Sequence, residues 1–155
     1  MTRRLSAIWL ALLISLGLAA PAGAATFGYP DFSSLAGLQL NGDAKQEGNV
    51  LRLTPAEGGK VGSAFATTAI DPQQSFHTQF AISMHGETSP IPGDPADGIA
   101  FVIQSKGLGG SESLGGSLGY AGIAPSVAIE FDIYHNVPDP LGDHVAIVSE
   151  GVPET

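Results

Sequence analysis

The chain has 155 residues, no cysteine, 21 glycines, 11 prolines and a formal net charge of −9. That length sets one domain, and the glycine and proline content favours short strands between turns over helices. The acidic balance argues against nucleic acid and anionic membrane as partners, and the missing cysteines mean that no disulfide reinforces the fold.

Residues 1 to 24 read as a signal peptide. Arg3 and Arg4 give a basic start, Ile8 to Ala20 an apolar run, and Ala22-Gly23-Ala24 a small-residue cleavage site. The apolar run is shorter than the ~20 residues of a spanning helix, so no membrane insertion is expected after cleavage. Cleavage before Ala25 leaves four basic against 15 acidic residues, a net charge of −11. The mature protein is therefore expected outside the cell or in the periplasm, with residues 25 to 155 as its single domain.

Strand patterns follow at Leu38 to Asp43, closed by Asn41-Gly42, and at Asn49 to Thr54, closed by Thr54-Pro55. Val61 to Ile70 is a third, stopped by Asp71-Pro72. The cleanest alternation is Phe76 to Met84, in which Phe76, Thr78, Phe80, Ile82 and Met84 share one side. Residues 86 to 96 hold three prolines and read as a loop. Asp97-Gly98 leads into Ile99 to Ile103, apolar on both faces as in a central strand. Residues 104 to 126 are rich in Gly and Ser, and a stretch of that length without its own structure is usually functional or disordered. Val127 to Tyr134 and His144 to Ser149 complete the set. Short strands separated by turn signals imply an all-β, antiparallel sandwich or jelly roll.

The chemistry concentrates between Val127 and His144. Val127, Ile129, Phe131 and Ile133 share one parity, which puts an apolar face on the core and leaves Glu130 and Asp132 together on the other. Residues two apart on a strand are separated by roughly 6.6 Å, so a multivalent cation is needed to offset their repulsion. Asn136, Asp139 and His144 follow in turn-forming sequence, ready to fold back over that cation. Hard oxygen donors suit calcium, and the imidazole opens a transition-metal position beside it.

The mature chain resembles an L-type, legume-lectin-like domain of the kind that also has bacterial members. The resemblance runs through F-G-Y-P-D-F-S-S at Phe27 to Ser34, Leu40 to Ala44, Ser75 to Ser83, and Ala96-Asp97-Gly98 with I-A-F-V-I. It continues through Gly115 to Tyr120, Val127 to Asp132, Asp139-Pro140 and His144 to Ile147. It implies a concanavalin-like sandwich and calcium-dependent, non-catalytic recognition of glycans, with homo-oligomerisation left open. In the family's pattern Asp97 follows a cis peptide from Ala96 and accepts from sugar hydroxyls, the Gly116 amide donates to the sugar, and Asn136 donates its side-chain amide. Tyr134 gives its carbonyl to calcium and its ring face to the sugar. Asp132, Tyr134, Asn136 and Asp139 match the calcium ligands; Glu130, Asp132, Asp139 and His144 match the ligands of Mn2+ or another transition metal. Taken alone, Asp97-Gly98 is a plain turn, Gly115-Gly116 a flexible loop, Asn136 a turn residue and Tyr134 strand packing.

The chain also departs from the pattern. The interval from Asn136 to Asp139 is short, which demands a tighter calcium loop. Val148 stands where the family has an aspartate and Glu154 where it has a serine, departures that bear on the transition-metal site more than on calcium. The chain ends before the family's last strands, so the sandwich is expected to be incomplete at its C-terminus. His77, His85 and His135 match nothing in the pattern, and Asp143 is a turn residue. Two other readings compete. In one, the cation is a structural staple in an adhesive module without sugar binding. In the other, the domain is a glycoside hydrolase carrying E-x-D-x-E on this strand, but Tyr134 replaces the second glutamate that a two-carboxylate mechanism requires.

Overall fold

The computed structural model describes residues 27–85, 95–110, 113–137 and 139–152. The expected signal peptide, most of the proline-rich loop at 86–96 and Glu154 lie outside the described residues. Seven strands are present among those described: β1 (Leu38–Gly42), β2 (Lys45–Glu47), β3 (Val50–Arg52), β4 (Gly62–Ala66), β5 (Gly98–Gln104), β6 (Ser126–Asp132) and β7 (His144–Ser149). A single turn of 3-10 helix, Gly115–Ser117, is the one helical element described. All pairings are antiparallel: β1 with β4, β2 with β3, and β5, β6 and β7 in that order.

Local chemistry sets these limits. Gly42 takes φ 61° and Gly48 φ 62°, conformations that glycine adopts at low cost, and each turns the chain at a strand end. The β2 strand is not legible in sequence because Lys45, Gln46 and Glu47 are all polar and exposed. Its hairpin is held by ladder bonds and by Arg52 pairing with Glu47 at 2.8 Å. The pattern at Val61 to Ile70 forms a shorter strand than expected, and β6 ends at Asp132, two residues before Tyr134.

Residues 76 to 84 join no ladder among the described residues, contrary to their alternation. Alternation decides which way side chains face, whereas a strand also requires a neighbouring edge to take its backbone groups. The segment instead lays Phe80 on the central sheet, stacked on Phe101 at 5.4 Å and edge-on to Phe131 at 6.2 Å.

The register of the central sheet sorts its side chains into two faces. One carries Ala100, Val102, Ala128, Glu130, Asp132 and Val148, and this face is covered. Its core is Tyr120, Ile123 and Ala128, with Phe65 and Leu118 packed against them. The small and acidic parity of β6 therefore faces the core, while the apolar parity is the more exposed, with Ile147 of β7 76% and Val145 64% accessible. The Gly/Ser-rich stretch is not structureless either. Leu118 donates to Gly115, Tyr120 to Ser117 and Ile123 to Tyr120, a run of short turns that delivers two of the three core side chains.

Candidate functional site

The site forms where β5, β6 and β7 end together. Asp132, the last residue of β6, pairs with Gly98 on one side and His144 on the other. Beyond that rung the Ile133 amide donates to the Asp97 carbonyl at 3.0 Å, which fixes Asp97 beside Asp132. The Ala96–Asp97 peptide is cis, as the resemblance implies. Gly98 has φ 155°, and a Cβ there would stand 2.4 Å from the Phe131 carbonyl oxygen, so only glycine fits this crossing.

Two further segments close on the same end. A Cβ on Gly115 would lie 4.0 Å from Asp97 Oδ1, and one on Gly116 would lie 2.8 Å from Asn136 Nδ2. Asp97, Gly116 and Asn136, widely separated in sequence, thus surround one small area. The Asn136 to Asp139 interval does turn tightly. The Asp139 amide donates to the Asn136 carbonyl at 2.7 Å, and the Asn136 amide returns a bond to Asp139 Oδ2 at 2.8 Å. Tyr134, half-buried just past the strand, donates its amide to Asp132 Oδ1 at 2.8 Å. His77, His85 and His135 are exposed.

The acidic groups are crowded and withdrawn from water. Burial pushes the Asp97 carboxyl above the usual range, and the charge of Asp132 adds to the shift. Asp132 is raised as well, chiefly by burial, with Asp139 and Asp143 pushing the same way and the Tyr134 amide and His144 opposing. Asp139 is 6% exposed, and its Oδ1 is buried with no hydrogen-bond partner among the described residues; His144 Nε2 is in the same condition. His144 Nδ1 lies 3.3 Å from the Gly142 carbonyl, a weak contact that fixes little beyond the ring's direction.

Among the described residues no three His, Asp or Glu side chains are close enough to make a finished cage. By type, the donors assembled there are nevertheless ones that could hold a cation. One buried oxygen, Asp139 Oδ1, and the His144 Nε2 nitrogen, both without partners among the described residues, stand beside carboxyls raised chiefly by burial, a deficit that a positive charge could fill. Asp132, Asn136, Asp139 and the Tyr134 carbonyl are the oxygen donors suited to calcium. Glu130, Asp132, Asp139 and His144 are the mixed set suited to a transition metal.

One contact lies outside the sequence expectations. Tyr120 donates its hydroxyl to Glu130 Oε1 at 2.6 Å, both side chains being almost fully buried. Burial, together with that bond, pushes the phenol up, so it remains a donor. A lone tyrosine in a glycine-rich loop carries no sequence signal for such a partner.

Comparison with known proteins shows what the chain is similar to. The legume lectin domain model covers residues 24–153. A lectin alpha chain from Lablab purpureus is 32% identical over 154 residues, which cover 87% of this chain and 53% of the relative. The chain thus spans about half the length of that relative.

Proposed function

This chain belongs to the legume lectin domain family, with its all-β, concanavalin-like sandwich, and from that premise we propose that it is a secreted, calcium-dependent and non-catalytic carbohydrate-binding domain. The observation that carries the proposal is the meeting of Asp97, Gly116 and Asn136 just beyond the C-terminal end of β6. Export rests on the signal-like residues 1 to 24.

Each of the three offers a different bonding role to a sugar. The Asp97 carboxylate accepts from hydroxyls, the Gly116 amide donates without a side chain in the way, and the Asn136 side chain donates from the facing turn. The ring of the half-buried Tyr134 would pack on the apolar face of a pyranose. Asp132, Asn136, Asp139 and the Tyr134 carbonyl would hold calcium, and the second position would use Glu130 and His144 with the two aspartates. A bound ion supplies the positive charge that lets these carboxylates stand ionised side by side.

Glu130 supports the non-catalytic reading. It is 1% exposed and tied to Tyr120, a poor situation for a nucleophile, and Tyr134 occupies the place of a second carboxylate.

The test is a glycan array probed with the purified protein in calcium, in EDTA, and after calcium is restored. Signal that disappears in EDTA and returns with calcium is expected. Signal unchanged by EDTA overturns the dependence on calcium, and no binding in calcium overturns the lectin reading.

A further inference from the structure

The turn that carries Gly116 is closed by backbone. Leu114, before it, makes no side-chain capping bond, and the Leu118 amide donates to the Gly115 carbonyl at 2.9 Å. Leu118 holds φ 44° and ψ 28°, the left-handed region that glycine enters at low cost and leucine does not. Such a conformation persists where the surroundings over-determine it. Here the side chain packs against the core of Tyr120, Ile123 and Ala128, and its Cδ2 lies 3.2 Å from where a Cβ on Gly98 would stand.

Leu118 therefore ties two parts of the site together. Its backbone ends the turn that holds Gly116, and its side chain rests beside the first residue of β5, the neighbour of Asp97. The turn comes close to the carboxylate, since a Cβ on Gly115 would lie 4.0 Å from Asp97 Oδ1. Resting on the lectin reading given above, we propose that Leu118 is a positioning residue. Its side chain sets the gap between the Gly116 amide and the Asp97 carboxylate, and so the spacing of the sugar oxygens that can bridge them. A donor and an acceptor on separate segments select among hydroxyl arrangements only while their gap is held to within about 0.5 Å. Cut back to a methyl, the side chain no longer reaches Gly98, and the turn is free to shift against Asp97.

Leu118→Ala in the full chain tests this, run as a concentration series on the same glycan array in calcium, beside calorimetric titration with Ca2+ and thermal unfolding. Apparent glycan affinity is expected to fall about tenfold or more and the order of preference among the arrayed glycans to change, while Ca2+ affinity stays within about threefold. Leu118→Gly removes the same side chain but suits φ 44°, so it folds with less strain and is expected to show the same loss. Leu118→Met, of similar volume, is expected to restore affinity to within about threefold of the wild type. Val102→Ala thins the same core further along β5 and is expected to keep the wild-type affinity and preference, whatever its thermal midpoint. Wild-type glycan binding in Leu118→Ala or Leu118→Gly overturns the proposal, as does an equal loss in Val102→Ala or in Leu118→Met. A wild type that binds no glycan in calcium overturns the lectin reading and this proposal with it.

Discussion

Gly116 and Asn136 meet with no room between them: a Cβ on the glycine would stand 2.8 Å from the asparagine's amide nitrogen. The loop that leads to Tyr120 and the acidic turn after β6 are therefore fitted to each other at the point proposed to face the sugar.

Gly116→Ala follows directly from that contact. Gly116 is not among the positive-φ residues, and the obstructed atom is the free end of a side chain, so the fold can absorb the methyl by turning Asn136 aside. Glycan affinity is expected to fall at least about tenfold, equivalent to ~1.4 kcal/mol, with a stability change within about 0.5 kcal/mol. Calorimetric titration with a glycan from the array, beside thermal unfolding, measures both.

Asp97→Ala separates recognition from cation binding. The backbone bond from Ile133 to the Asp97 carbonyl does not depend on the side chain, and removing the carboxylate relieves its repulsion with Asp132. Loss of glycan binding with calcium affinity retained or slightly raised is expected in paired titrations. An equal loss of both would make Asp97 structural.

Gly98→Ala strikes the frame itself. The added Cβ meets the Phe131 carbonyl oxygen at 2.4 Å, a backbone atom that cannot step aside, and φ 155° is strained for alanine. A destabilisation of about 2 kcal/mol or more is expected in denaturant unfolding of the calcium-loaded protein, with calcium affinity reduced.

The acidic cluster sets the sign of the pH response. Asp97 and Asp132 are raised in the folded state, so between their unfolded and folded values the native protein binds more protons than the unfolded chain. Their contribution to the stability of calcium-free protein is greatest when both are protonated and falls as pH rises through the raised values. Thermal midpoints in EDTA from pH 3.5 to 7 should show this component, and Asp97→Asn should remove part of it. Saturating calcium should reverse the trend, since the ion binds the ionised form.

Much of the fold is visible in the sequence where a strand has both its pattern and its neighbours. His144 to Ser149 forms as read, and β5 extends the Ile99 to Ile103 pattern by one residue at each end. Phe76 to Met84 shows the opposite case, alternation without an edge to pair with, and Lys45 to Glu47 a strand without alternation. The site divides in the same way. The carboxylates announce themselves by spacing, and the family resemblance draws Asp97, Gly116 and Asn136 into one expectation. The buried bond from Tyr120 does not show, because its partner Glu130 lies ten residues away across a turn whose path the glycines leave undetermined.

The hydrogen bond from Ile133 to the Asp97 carbonyl has an evolutionary corollary. It binds the proposed sugar-accepting aspartate to the end of the strand that carries the proposed cation ligands, so neither can drift without the other. Selection for a different glycan would then leave β5 and β6 alone and work on the loop bearing Gly116, where a single methyl is enough to redraw the surface.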